Sequence, residues 1–337
     1  MASQLQVELE NGAEAGSIPA ARSGSALHPE LAEIGFMHLR DVVPLDAVQE
    51  FRALARAYKP GDNVHRSPIF EFLIDRLQVQ KKVQALLNEQ IHYYGWCTVM
   101  PGSSINRGYL HDDAKGCAVA VDAPRRILFD VASARTHDAL KHPTWPIYRL
   151  FIYLNDHDQH SGGTKLRAGS HRRYSLASKQ GLRALRKLRF DRLLVPGLGY
   201  RNPRVKAGDA ILFNLKCKHS ALYVRLRAPF DGVALPAAGD NFFKQLYLSG
   251  AVGRGLSSML MRPFHEKRTS VIIDFCTDSD WSRGYQLNRM LHANNQAYFE
   301  QFADCNKDAF GRRMADAGIP LLRNPLLRDA ERFMRGQ

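Results

Sequence analysis

His111-Asp112-Asp113 sets an imidazole and a carboxylate two residues apart, a spacing that can bring both to one metal ion. In a strand, residues i and i+2 point to the same face, so His111 and Asp113 project together while Asp112 turns away. One further His from a later strand would complete a 2-His-1-carboxylate facial triad, which leaves positions on Fe(II) open for a cosubstrate and O₂. His219 is a candidate for that part. It follows the turn Lys206-Ala207-Gly208-Asp209 and an apolar strand over residues 210–215. An ordinary strand-end His reads the same way, and a His-x-Asp arises often by chance, so the rest of the chain has to decide.

The other histidines point elsewhere. His38, His65, His92 and His137 stand alone and read as core or surface side chains. His157-Asp158-Gln159-His160 lies in a polar loop with a Ser-Gly-Gly exit, where a solvated turn is the simpler account.

The elements that must position these residues follow from periodicity. Residues 29–34 read as a short helix, 35–39 as a strand and 44–58 as a helix with Leu45, Val48, Phe51, Leu54 and Ala55 on one face. Residues 69–88 give one or two further helices. From Gln90 the period shifts towards two: 91–100, a segment leading into His111, 118–122 as a strand or bulge, 147–155, 165–167, 210–215 and 269–276 are strand candidates. Residues 176–194 have helical periodicity, 228–267 form a long connection with several glycines, and helix returns from Trp281 to a last segment at 326–334. The pattern has no internal repeat. It gives an α+β chain, with helices around a β-sandwich or barrel.

A length of 337 residues allows one large domain or two small ones. No stretch approaches the roughly 18 apolar residues of a membrane span. Residues 1–28, rich in Ala, Ser, Gly and Glu, read as a disordered leader and not as a secretory signal. Five widely spaced cysteines without a C-x-x-C argue against a disulfide framework or a structural zinc site, and place the chain in a reducing cytoplasm. The net charge of +14, densest between Arg167 and Lys206, suits nucleic acid or an anionic substrate about equally; a solvated basic face is the bland alternative.

Four blocks, in order, carry a family resemblance. They are Glu33-Ile34-Gly35-Phe36-Met37-His38-Leu39 with Pro44-Leu45-Asp46-Ala47-Val48; Leu110-His111-Asp112-Asp113; Tyr153-Leu154-Asn155-Asp156 through Gly162-Gly163-Thr164-Lys165-Leu166 to Gly169-Ser170-His171; and Gly208-Asp209-Ala210-Ile211-Leu212-Phe213 leading to His219. From about Leu31 to Phe275 the chain resembles the phytanoyl-CoA dioxygenase family of Fe(II)/2-oxoglutarate oxygenases. The resemblance implies a double-stranded β-helix (jelly-roll) core flanked by N- and C-terminal helices, formed by residues 29–337 as one domain. It implies Fe(II) held by His111, Asp113 and His219, with 2-oxoglutarate and O₂ as cosubstrates, and it leaves His171 structural or near the site.

In that family an Arg beyond the distal His grips the remote carboxylate of 2-oxoglutarate, for which a guanidinium fork is suited. Arg225 and Arg227 have nearly the family spacing, but Arg268 leads the strand-like 269–276 and is the preferred residue. The choice of Arg268 makes 228–267 a long insertion, a lid or a recognition element, beside a helical insertion at about 172–194 and a helical extension over 281–337. Asp113 argues against halogenation, which needs a small residue in place of the carboxylate.

The expected reaction is oxidation, above all hydroxylation, of an unactivated C–H bond in a small, anionic or carrier-linked substrate, without a membrane. Arg149, Phe151 and Tyr153 share one face of their strand and Tyr148, Leu150 and Ile152 the other; either set can line the interior. Asn106 and Arg107 are further pocket candidates. Two other readings stand behind this one: a basic protein binding nucleic acid on an inactive jelly-roll, and a metal-dependent jelly-roll enzyme that uses no 2-oxoglutarate.

Overall fold

The computed structural model describes residues 28–59, 61–87, 90–101, 113, 147–156, 164–173, 200–201, 203–221, 250–260, 269–291 and 296–335. Helices α1 (Pro29–Glu33) and α2 (Leu45–Ala57) flank strand β1 (Phe36–Leu39), and α2 buries Ala47, Val48, Phe51 and Ala55 along one stripe. Helix α3 (Pro68–Glu71) and a π-helical turn (Phe72–Arg76) precede α4 (Val79–Leu87). The strands are β2 (His92–Pro101), β3 (Ile147–Tyr153), β4 (Thr164–Arg167), β5 (Tyr200–Arg201), β6 (Ala210–Asn214), β7 (His219–Ala221) and β8 (Thr269–Cys276). Helix α5 (Ala251–Leu260) falls before β8, and α6 (Asp280–Leu291), α7 (Gln296–Asp304), α8 (Asp308–Asp316) and α9 (Leu326–Met334) follow it. The segments expected at 118–122 and 176–194, and the one leading into His111, lie outside the described residues. No helix among the described residues is long and apolar enough to cross a membrane.

The described strands pair antiparallel. One sheet has the order β1-β6-β3-β8-β2 and the other β5-β4-β7. Strand β3 is central, and its alternation separates two cores. Tyr148, Leu150 and Ile152 pack with the helices, beside Leu212 and Ile273. Tyr153 joins Phe36, Ile211 and Phe213 of its own sheet and Leu166 and Ala168 from the segment of the smaller one, with Phe151 against them. A strand covered on both faces is apolar at consecutive positions, which is why its sequence does not say which face looks inward. The structure assigns Arg149, Phe151 and Tyr153 to the side that faces the smaller sheet.

The sequence blocks prove to be joints between these elements. Gly35 has φ +88°, and a Cβ there would stand 2.3 Å from Nδ1 of His171. Only glycine accepts both the backbone and the contact. The His171 Nε2 reaches the Ala32 carbonyl at 3.2 Å, and the Gly169 N–H donates to the Ile34 carbonyl, so this buried histidine pins β4 to the α1–β1 turn. Asp209 accepts from the backbone N–H groups of Lys206 (2.8 Å) and Asp41 (3.1 Å) and pairs with His38 Nε2 (3.0 Å). Burial alone would raise its carboxyl; these partners outweigh it and hold the group below the usual carboxylate range. Asn155 accepts from the Thr269 N–H and Asp156 from the Ala207 N–H, fastening the end of β3 to the starts of β8 and β6. The four described cysteines, Cys97, Cys217, Cys276 and Cys305, are free and buried.

His65 gives the fold a measurable pH dependence. It is buried against Phe310 (centroids 4.6 Å apart) and Phe70 (4.8 Å), and its Nε2 meets the Tyr93 hydroxyl at 2.6 Å. Burial pushes its pKa down to about 3, against the opposing pull of Asp304. An unfolded His takes up its proton near pH 6.5, whereas the folded one does not, so the unfolded state binds more protons below that pH. Stability should therefore fall from pH 6.5 to 5, with a slope that approaches roughly 1.4 kcal/mol per unit at the acid end from this residue alone. Urea unfolding across that range should show the slope, and His65→Gln should remove about one proton's worth of it. An unchanged slope in the variant would mean that His65 is already protonated in the fold.

Candidate active site

Three elements converge on Asp113. Its backbone N–H donates to the carbonyl of Leu215, just past β6, at 3.2 Å, and its carbonyl accepts from the Tyr285 hydroxyl of α6 at 2.7 Å. With the main chain held from both sides, the side chain lies beside the first residue of β7: Oδ2 of Asp113 is 3.5 Å from Nε2 of His219. Two donors at that separation can reach one ion at the about 2.0–2.2 Å typical of N and O ligands to a divalent metal such as zinc.

His219 is prepared for such a role. It is 5% exposed, and its Nδ1 lies 3.0 Å from the backbone carbonyl of Cys217. A carbonyl can only accept, so Nδ1 carries the proton and the lone pair sits on Nε2, the nitrogen beside Asp113. This is the outer contact that a ligating histidine ordinarily makes. Phe213 (centroids 4.8 Å away) and Phe151 (6.4 Å) wall the imidazole.

Arg149 organises the opposite side. It is 5% exposed and grips Asp274 with two parallel bonds, Nε to Oδ1 at 2.7 Å and Nη2 to Oδ2 at 2.8 Å, while its Nη1 donates to Oδ2 of Asp113. Register explains the meeting, since Arg149 of β3 stands opposite Asp274 of β8. Burial pushes the Asp274 carboxyl up, against the pull of Arg149. Both carboxylates hold Arg149 in its charged form. An ionised carboxylate has about four acceptor sites on its two oxygens, so Asp113 can take the Arg149 bond and still ligate.

The guanidinium of Arg149 also lies 4.5 Å from the ring centroid of Trp96. A bulge delivers that ring: the β2–β8 register shifts between Tyr93 and Cys97, and Gly95 within it has φ +98°. Side-chain amides meet the backbone around the bulge, Gln286 donating to the Tyr94 carbonyl (2.7 Å) and Gln301 accepting from the Cys97 N–H (2.9 Å).

The structure thus brings together two of the expected ligands, Asp113 and His219. The third, His111, lies outside the described residues, as do Arg268, Arg225, Arg227, Asn106 and Arg107. Among the described residues no group of three His, Cys, Asp or Glu side chains assembles. Asp274, Trp96, Tyr285 and Arg289 carry no sequence signal of a site. The one trace is the one-turn spacing of Tyr285 and Arg289 on a helix.

No family model and no curated protein sequence matches the chain. Solved structures with some similarity include a non-heme alpha ketoglutarate dependent epimerase, SnoN, from nogalamycin biosynthesis. It is 13% identical, with 75% of this chain and 82% of that one covered and a TM-score of 0.42. The carbocyclase SnoK from the same biosynthesis is 13% identical over 78% and 88% of the two chains, with a TM-score of 0.44. EctD from S. alaskensis, solved with 2-oxoglutarate and 5-hydroxyectoine, is 15% identical over 74% and 75%, with a TM-score of 0.41. Likeness this distant leaves function to be argued from the residues.

Proposed function

We propose that the chain is an Fe(II)/2-oxoglutarate-dependent dioxygenase of the phytanoyl-CoA dioxygenase type, on a double-stranded β-helix, that oxidises a C–H bond of a small molecule, most simply by hydroxylation. The observation that carries the reading is the pairing of half-buried Asp113 with buried His219, with the His219 Nε2 turned to the carboxylate by the Cys217 carbonyl. His111, two residues before Asp113, is the proposed third ligand. Arg268 is proposed, over Arg225 and Arg227, to hold the remote carboxylate of 2-oxoglutarate. In the sequence it immediately precedes β8, whose Ser270, Ile272 and Asp274 have Tyr153, Phe151 and Arg149 as register partners.

Iron with 2-oxoglutarate and O₂ supplies the oxidising chemistry, with decarboxylation of 2-oxoglutarate to succinate. The protein's own work is positioning. Arg149 and the backbone contacts fix Asp113, the Cys217 carbonyl fixes the His219 tautomer, and Phe151 and Phe213 keep water from the imidazole. Incubation of the iron-loaded protein with 2-oxoglutarate and O₂ should release one succinate per O₂ consumed, faster when the right substrate is present. Oxygen uptake without succinate would overturn the 2-oxoglutarate assignment.

A further inference from the structure

Among the described residues, Trp96 and Arg289 beside this site each carry a donor with no acceptor. Trp96 is 5% exposed, and its buried Nε1 has no hydrogen-bond partner. Arg289 is only partly exposed, and among the described residues it makes no hydrogen bond or ion pair; its guanidinium lies 5.7 Å from the Trp96 ring centroid. Arg149, on the same ring, is fully matched by Asp274 and Asp113. Arg289 stands one turn after Tyr285, whose hydroxyl reaches Asp113, so the helix face that carries Arg289 is turned to the candidate metal site. An unpaired guanidinium and an orphaned indole N–H in so little water are both costly to the fold. Their shared need is an acceptor with negative charge.

We propose that Arg289 and the Trp96 indole N–H form a subsite for an anionic group of the substrate, a carboxylate or a phosphate. The proposal rests on the oxygenase reading for what the neighbouring centre does, and it narrows that reading to acidic substrates. The cosubstrate is not the better occupant. Arg149 faces Trp96 and pairs with Asp274 towards the far end of β8, five residues from Thr269, or about 17 Å of extended chain. Arg289 shares the Trp96 ring with Arg149, whereas Arg268 precedes the opposite end of β8 in the sequence, so Arg289 and Arg268 serve different anions.

The test follows the Trp96 indole N–H resonance, assigned with Trp96→Phe, while metal-free protein is titrated with acetate and, separately, with inorganic phosphate. A saturable shift that Arg289→Gln weakens at least about tenfold is expected, and the tighter of the two anions identifies the substrate's acidic group. Arg289→Lys, read the same way, serves if Arg289→Gln does not fold. No saturable shift, or one that both Arg289 variants leave unchanged, would overturn the proposal. In the same variants the anaerobic Fe(II)/2-oxoglutarate absorption band should form at an unaltered 2-oxoglutarate concentration; a tenfold rise would assign Arg289 to the cosubstrate and overturn it too. Absence of that band from wild type would sink the oxygenase reading alone, since the anion titration contains no metal.

Discussion

Replacing His219 by Ala is expected to weaken Fe(II) binding by at least about 100-fold while leaving the protein folded. The magnitude has a floor in the behaviour of outer contacts, whose loss alone costs about 10–100-fold in metal affinity. His219 is itself a proposed ligand, with Nε2 3.5 Å from Asp113 Oδ2. Its outer partner is the main-chain carbonyl of Cys217, so the Ala variant removes the imidazole without leaving a partner side chain stranded. Anaerobic calorimetry with Fe(II) measures the change. Comparable affinity in wild type and variant would remove His219 from the ligand set.

The second large effect is on stability. Arg149→Met would leave Asp274, 1% exposed, without the guanidinium that now holds both of its oxygens. Breaking a buried pair from one side costs about 3–5 kcal/mol, whereas replacing both members by apolar side chains of similar volume is often neutral. Urea unfolding should therefore show a loss of that size in Arg149→Met and recovery of most of it in Arg149→Met/Asp274→Leu. The double variant also separates fold from function. It regains stability but still lacks the bond to Asp113, so its metal affinity should remain about 10–100-fold low. A single variant costing less than about 1 kcal/mol would show that the pair does not hold β3 to β8.

What could be read from the sequence, and what could not, divides along physical lines. Strand β8 and helix α9 stand where periodicity placed them, because an apolar stretch centred on Val271-Ile272-Ile273 and a strongly amphipathic stretch are local signals. The inward face of β3 was illegible because both faces are buried, and only the smaller sheet distinguishes them. Helix α5 was hidden in the connection over residues 228–267 because Gly253 and Gly255 lower helix propensity where the pattern would otherwise be seen. Asp113 and His219 were singled out through a resemblance, and residues of its blocks stand at joints of the fold. His171 braces Gly35, and Asp209 ties β1 to the turn before β6. Trp96, Tyr285 and Arg289 come from a bulge and a helix far apart in sequence, and nothing in either segment announces the other.

The most direct measurement is an anaerobic titration of the metal-free protein with Fe(II) and 2-oxoglutarate, followed by visible absorption. A weak metal-to-ligand charge-transfer band is expected that needs both additions, saturates at one equivalent of iron and is lost in His219→Ala. No band in the wild type, or the same band in His219→Ala, would contradict the proposed function.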